Sequence, residues 1–185
     1  GGLWYAILAS LFNFLNPKMY VEELLSDAMD LTSAYLEIRS KLLTDSTRRS
    51  AMSQKLFELQ ATLTAKHETL RNILFTRRKK SGFSNKMRRE LLVFIELVDL
   101  LELASATPVD YEEMDRVFKK NSKEVHLFAT FIHELAEQFS QVSKAIVRSE
   151  KVVSNPKIAT LLEEIETAVR VLSNTENKHI HRKEV

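Results

Sequence analysis

The sequence predicts an all-α protein: an up-and-down antiparallel bundle of about four long helices, joined by a short helix and a C-terminal helix. Three observations predict it. Glycine and proline each occur only 3 times in 185 residues, too few for the turns that a β-rich fold needs at every hairpin. Leu, Ala, Glu, Lys and Arg are abundant, and these are strong helix formers. Apolar residues also recur at steps of three and four along most of the chain, which is the period of a helix with one buried face.

The first segment differs from the rest. Leu3 to Leu15 reads LWYAILASLFNFL, with Ser10 and Asn13 as its polar residues. A membrane span needs about 20 apolar residues, so the run is too short to cross alone. No basic stretch precedes it, which argues against a secretory signal. Large apolar groups fall on every side of such a helix, whereas a bundle surface helix leaves one side polar. Residues 1–16 are therefore expected to be the end of a transmembrane helix. The Gly1-Gly2 start fits a cut inside a longer protein. The competing expectation is an ordinary buried helix.

Asn16-Pro17 then restarts the chain, with proline suited to a first helical position. Val21, Leu25, Ala28, Thr32, Tyr35 and Leu42 form an inward stripe, broadened by Leu24 and Leu36. Glu22, Asp27, Asp30, Glu37 and Lys41 mark the wet face. Thr44 to Thr47 ends this helix and offers caps for the next. That second helix carries Met52, Leu56, Leu59, Leu63, Leu70 and Leu74, with Lys66 and His67 interrupting the seam, and is expected to stop before Thr76. A third helix spans about Ser84 to Ser105, with Met87, Leu91, Phe94, Val98 and Leu101 inward.

Asp110 and Glu113 resemble a capping box for a short helix, and Asn121 and Glu124 repeat the pattern for a long one. Val125, Phe128, Ile132, Leu135, Phe139, Val142 and Ile146 are the expected inward residues there. After Ser154-Asn155-Pro156, a last helix uses Ile158, Leu161, Ile165, Val169 and Leu172. The organisation expected is a bundle over residues 17–174 and a polar linker over 175–185.

Composition removes several functions. There is no cysteine, so disulfides, thiolate metal sites and cysteine nucleophiles are excluded. Three glycines leave no phosphate-binding loop. The formal net charge is +2, from 27 basic and 25 acidic residues, and such a balance is not the bulk signature of a nucleic-acid binder. His126, His133 and Glu137 share one stripe of a helix, but on its flank; bundle metal sites instead converge inward from several helices. His67 reads as a histidine at the core edge, and His179 and His181 as tail residues. No catalytic, cofactor-binding or metal residue is assigned.

The sharpest charge feature is Arg77, Arg78, Lys79 and Lys80, continued by Lys86, Arg88 and Arg89. No acidic residue interrupts the run from Arg77 to Arg89. A solvated loop is its plainest reading. The functional alternative is contact with anionic lipid headgroups. Nucleic acid fits less well, because Phe83 is the single aromatic available for stacking.

Several stretches together resemble the FUSC family of bacterial membrane proteins, in its YccS/YhfK-like branch. They are Gly1-Gly2-Leu3-Trp4-Tyr5 with the apolar run to Asn16-Pro17, then Ala34-Tyr35-Leu36, Ala65 to Arg71, and Val109-Asp110-Tyr111. The resemblance covers nearly the whole chain. It implies a transporter- or exporter-like inner-membrane protein with two membrane bundles and cytoplasmic helical regions. Residues 17–185 are then expected on the cytoplasmic side, in a structural, coupling or assembly role without catalysis. The implied partners are the rest of the parent membrane protein, anionic lipid headgroups and a second copy of the chain, but not nucleic acid. No cofactor is implied. The rival is a soluble four-helix sensor or ligand-binding bundle, which needs a pocket with convergent polar groups.

Overall fold

The computed structural model describes residues 17–81, 84–106, 108–118 and 122–183. The described residues form six helices and no strand: α1 (Pro17–Thr44), α2 (Arg49–Ser81), α3 (Asn85–Ala106), α4 (Tyr111–Phe118), α5 (Lys123–Arg148) and α6 (Pro156–Lys183). The fold is an all-α helical bundle. The expected membrane segment, residues 1–16, lies outside the described residues.

Two elements run further than expected. α2 continues through the basic run to Ser81, because Arg and Lys are good helix formers and cations are favourable near a helix C-terminus. α6 continues to Lys183, since no glycine or proline follows Pro156.

The helix ends show how the short connections are made. Asp110 Oδ1 accepts from the Glu112 and Glu113 amides at 3.0 and 2.9 Å, so the expected cap of α4 is present. Glu113 pairs onward with Arg116. α5 is capped by Ser122, whose hydroxyl accepts from the Val125 amide at 3.2 Å, one residue later than the expected Asn121. Its other end is a Schellman turn: the Glu150 and Ser149 amides donate to Ala145 and Ile146 carbonyls at 2.9 and 3.3 Å. Ser149 takes φ 55° there, a position that glycine fills at lower cost.

The chain divides into two compact units. The described residues of the first fall within Gly1–Thr32, Phe57–Thr107 and Phe139–Val152. Its core is built from Val21, Leu24, Leu25, Ala28 and Met29 of α1, Leu70 and Leu74 of α2, and Phe94 and Leu97 of α3. Phe139, Val142 and Ile146 of α5 pack against this core. Ser26 and Ser143, both buried, bring their hydroxyl oxygens to 2.8 Å.

The second unit draws its described residues from Ser33–Leu56, Pro108–Gln138 and Val153–Val185. Tyr35, Leu36, Ile38, Leu42, Val125, Ala129, Ala136, Leu161 and Ile165 are buried in it. Ser40 Oγ donates to the Ala129 carbonyl at 2.8 Å. Arg49 closes the turn between α1 and α2 with a two-pronged bond to Asp115, at 2.7 and 2.8 Å. It also stacks over the Tyr111 ring, 5.1 Å from its centroid.

The faces of α1 and α2 follow the expected stripes, and His67, not Lys66, fills the gap in the α2 seam. On α5 the expectation fails in part. Val125 is buried as expected, but Phe128 is 37% exposed, and Ala129, Ala136, Ser143 and Ala145 are the other buried positions. Small residues lie at the centre of the seam because they let backbones approach closely, and the larger Phe139 and Val142 flank it. On α3 the stripe turns to take in Glu90 and Leu97. On α6, Leu161 and Ile165 are buried, but Val169 and Leu172 are exposed.

Candidate functional site

Both features singled out below belong to the first unit. One is its basic end. Lys86 reaches Glu22 across from α3 to α1, and Arg77 near the end of α2 pairs with Glu90 of α3 at 3.5 Å. Asp27 holds Lys66 at 2.9 Å one turn further along. These pairs, together with the Ser26–Ser143 contact, gather the start of α1, the end of α2, the start of α3 and the end of α5.

The seven basic residues of the expected site are thus on helices, not on a loop. The backbones of Arg78, Lys79 and Lys80 belong to α2; their side chains lie outside the described residues. Arg77 and Lys86 are committed to Glu90 and Glu22. Arg88 and Arg89 are exposed. They sit in the first two turns of α3, whose first turn carries no acidic residue. The structure also brings Arg148 and Lys151, both exposed, to the same end. These two are distant in sequence, and only the antiparallel register of α1 and α5 would have connected them to the run.

Glu90 is the unusual member. It is 6% exposed, and its Oε1 makes no hydrogen bond among the described residues. Burial raises its pKa above the ordinary 4.5; Arg77 and Lys86 oppose the shift, and Glu22 adds to it.

The second feature is an open groove between α2 and α3, of about 570 Å³. His67, Phe94, Ile95, Val98 and Leu101 line it, with Gln60, Arg71, Asp99 and Glu102 among its polar residues. His67 stands edge-on to Phe94, with ring centroids 6.0 Å apart. Burial lowers its pKa below the ordinary 6.5. Its buried Nε2 has no hydrogen-bond partner among the described residues.

Among the described residues, the other histidines form no common site. His133 Nδ1 lies 2.7 Å from Glu37 of α1, while His126 and Glu137 are exposed. The side chains of His179 and His181 lie outside the described residues. Among the described residues no three His, Asp or Glu come together as a metal-binding group. No described helix is long and apolar enough to cross a membrane.

A family model described as FUSC-like inner membrane protein yccS matches residues 1–184. The chain belongs to the FUSC-like family. This is a family of transporter-like inner-membrane proteins, so the FUSC-like chain is assigned to the inner membrane. No curated protein and no solved structure matches it.

Proposed function

We propose that residues 17–185 of this FUSC-like chain form a cytoplasmic-side helical module that couples or assembles the membrane parts of a transporter-like protein. The module does so without catalysis. The observation that carries this reading is the direct succession, in the sequence, of the largely apolar run Leu3–Leu15 into α1, whose stripe is buried from Val21 to Leu42. In this reading residues 1–16 are the end of a transmembrane helix and α1 leads the chain away from the bilayer. The family match, which spans both segments, supports it.

The lack of cysteine makes the test direct. Single cysteines at the exposed Glu68 and Glu163, in the protein embedded in its membrane, should react with an impermeant maleimide in inverted inner-membrane vesicles. They should stay unlabelled in intact spheroplasts. Labelling in spheroplasts would place the module on the other side and overturn the proposal.

A ligand-binding bundle is the second reading, and the α2–α3 groove is what favours it. It predicts that filling the groove by Val98→Trp abolishes function without disturbing membrane assembly.

A further inference from the structure

We propose that the basic end of the first unit is a docking surface for anionic phospholipid headgroups. This inference rests on the membrane-attached reading above and names the surface that the module meets.

The argument begins with position. Glu22 lies about 8 Å along the helix axis from Pro17, at 1.5 Å per residue. Its bridge to Lys86 therefore holds the start of α3 beside the start of α1. The apolar stretch Leu3–Leu15 immediately precedes that point. If it ends in the bilayer, Lys86 and its neighbours lie within about one Debye length of the headgroups, ~8 Å at physiological ionic strength.

Charge supplies the second step. Two of the cations are already balanced: Arg77 by Glu90, and Lys86 by Glu22. Arg88 and Arg89 make no such pair among the described residues. They are exposed, and they stand at the N-terminal end of α3, where the helix dipole disfavours cations. Their placement works against the local stability of α3, and it adds two charges to the positive end of a helix dipole. Arg148 at the end of α5 and Lys151 just beyond it, both exposed, extend the same field from another part of the chain. Glu22 and Glu90 are engaged in the network, and the exposed Glu23 and Glu150 offset only part of the charge of Arg88, Arg89, Arg148 and Lys151, which leaves the outward surface net positive. A cationic surface beside a membrane helix is complementary to an anionic leaflet. Stacking aromatics that would favour single-stranded nucleic acid are not interleaved with these residues.

The test uses the full chain and two kinds of vesicle, phosphatidylcholine alone and phosphatidylcholine mixed with phosphatidylglycerol. Binding to the neutral vesicles reports the apolar segment. The extra affinity gained with phosphatidylglycerol reports the basic end. Each arginine near an anionic surface is worth roughly fivefold in affinity. Arg88→Gln with Arg89→Gln should therefore cut the phosphatidylglycerol gain about 25-fold and leave neutral-vesicle binding unchanged. Arg148→Gln with Lys151→Gln should cut it too, and raised salt should remove it. Both pairs are exposed, so unchanged melting by circular dichroism should accompany the loss. An undiminished gain in both double variants overturns the proposal. So does a duplex oligonucleotide that binds more tightly than the anionic vesicles at the same salt. Absence of neutral-vesicle binding with the gain intact would leave the docking surface standing and remove the apolar segment as the anchor.

Discussion

Ser26 and Ser143 hold their hydroxyl oxygens 2.8 Å apart in a buried position of the first unit. Ser143 Oγ also lies 3.1 Å from the Ser26 carbonyl. Two helices can approach this closely only where the side chains between them are small. The second unit repeats the device, with Ser40 against the backbone carbonyl of Ala129. The interval from Ser26 to Ser40 on α1 equals that from Ala129 to Ser143 on α5. The register is therefore written twice in small residues, once in each unit.

A larger side chain at this contact should force the helices apart. Ser143→Leu is expected to cost about 1–3 kcal/mol or more through overpacking. Ser143→Ala should cost only about 1 kcal/mol, the worth of one buried hydrogen bond. Urea unfolding of the two variants checks the order. Equal stability of Leu and Ala at 143 would show that the contact does not set the spacing.

The same geometry separates two phenylalanines of α5. Phe128 is 37% exposed, whereas Phe139 packs against the first core. Phe128→Ala should therefore cost clearly less than the 3–5 kcal/mol typical of a buried phenylalanine. Ala136→Leu, at a site 2% exposed, should cost more than Phe128→Ala despite adding apolar surface. Thermal melts of the pair decide it.

The reason for this reversal shows what the sequence conveys and what it does not. Helical period and scarce glycine and proline made the fold class and the order of elements legible. Stripes of large apolar residues located the buried faces of α1 and α2. On α5 those residues surround the true centre of contact, because a stripe of Ala and Ser carries little hydrophobic signal. The end of α2 was also hidden: four consecutive cations resemble a loop by polarity, yet each is a good helix former. At the basic end, the run from Arg77 to Arg89 was visible in the sequence. The buried Glu90 and the arrival of Arg148 and Lys151 were not, since both depend on which helices become neighbours.

Ser149 offers a gain in stability. Its φ of 55° is in the left-handed region, where a Cβ is disfavoured by about 1 kcal/mol. Ser149→Gly should keep the Schellman bonds from Glu150 and position 149 while relieving that cost. An increase of about 0.5–1 kcal/mol is expected, less than the full penalty because glycine loses more entropy on folding. A decrease in the urea midpoint would refute it.

Removal of residues 1–16 tests the segment ahead of α1. The first core contains Val21, Leu24 and Leu25 of α1 and the facing residues of α2 and α3. If the apolar segment belongs to a membrane, its deletion should improve solubility and leave the melting temperature nearly unchanged. If it is instead a core helix, deletion should lower the melting temperature sharply or prevent folding of residues 17–174.

Glu90 and His67 give the first unit two opposite responses to pH. Burial raises the Glu90 pKa above 4.5, with Arg77 and Lys86 opposing and Glu22 reinforcing the shift. The folded state then retains a proton that the unfolded state has released. The stability tied to neutral Glu90 is complete below pH 4.5 and is lost as pH rises through the folded pKa. Burial lowers the His67 pKa below 6.5, so stability tied to neutral His67 is complete above pH 6.5 and is lost as pH falls through the folded pKa. Glu90→Gln mimics the protonated acid. It should raise the melting temperature at pH 7, and the advantage over the unaltered protein should shrink to nothing below pH 4.5. His67→Leu should remove the part of the acid destabilisation that begins below pH 6.5 and should relieve the unpartnered Nε2 at every pH. Melting curves from pH 4 to pH 8 test both. A Glu90→Gln protein less stable at pH 7 would mean that attraction to Arg77 and Lys86 outweighs burial, and the sign assigned to Glu90 would be reversed.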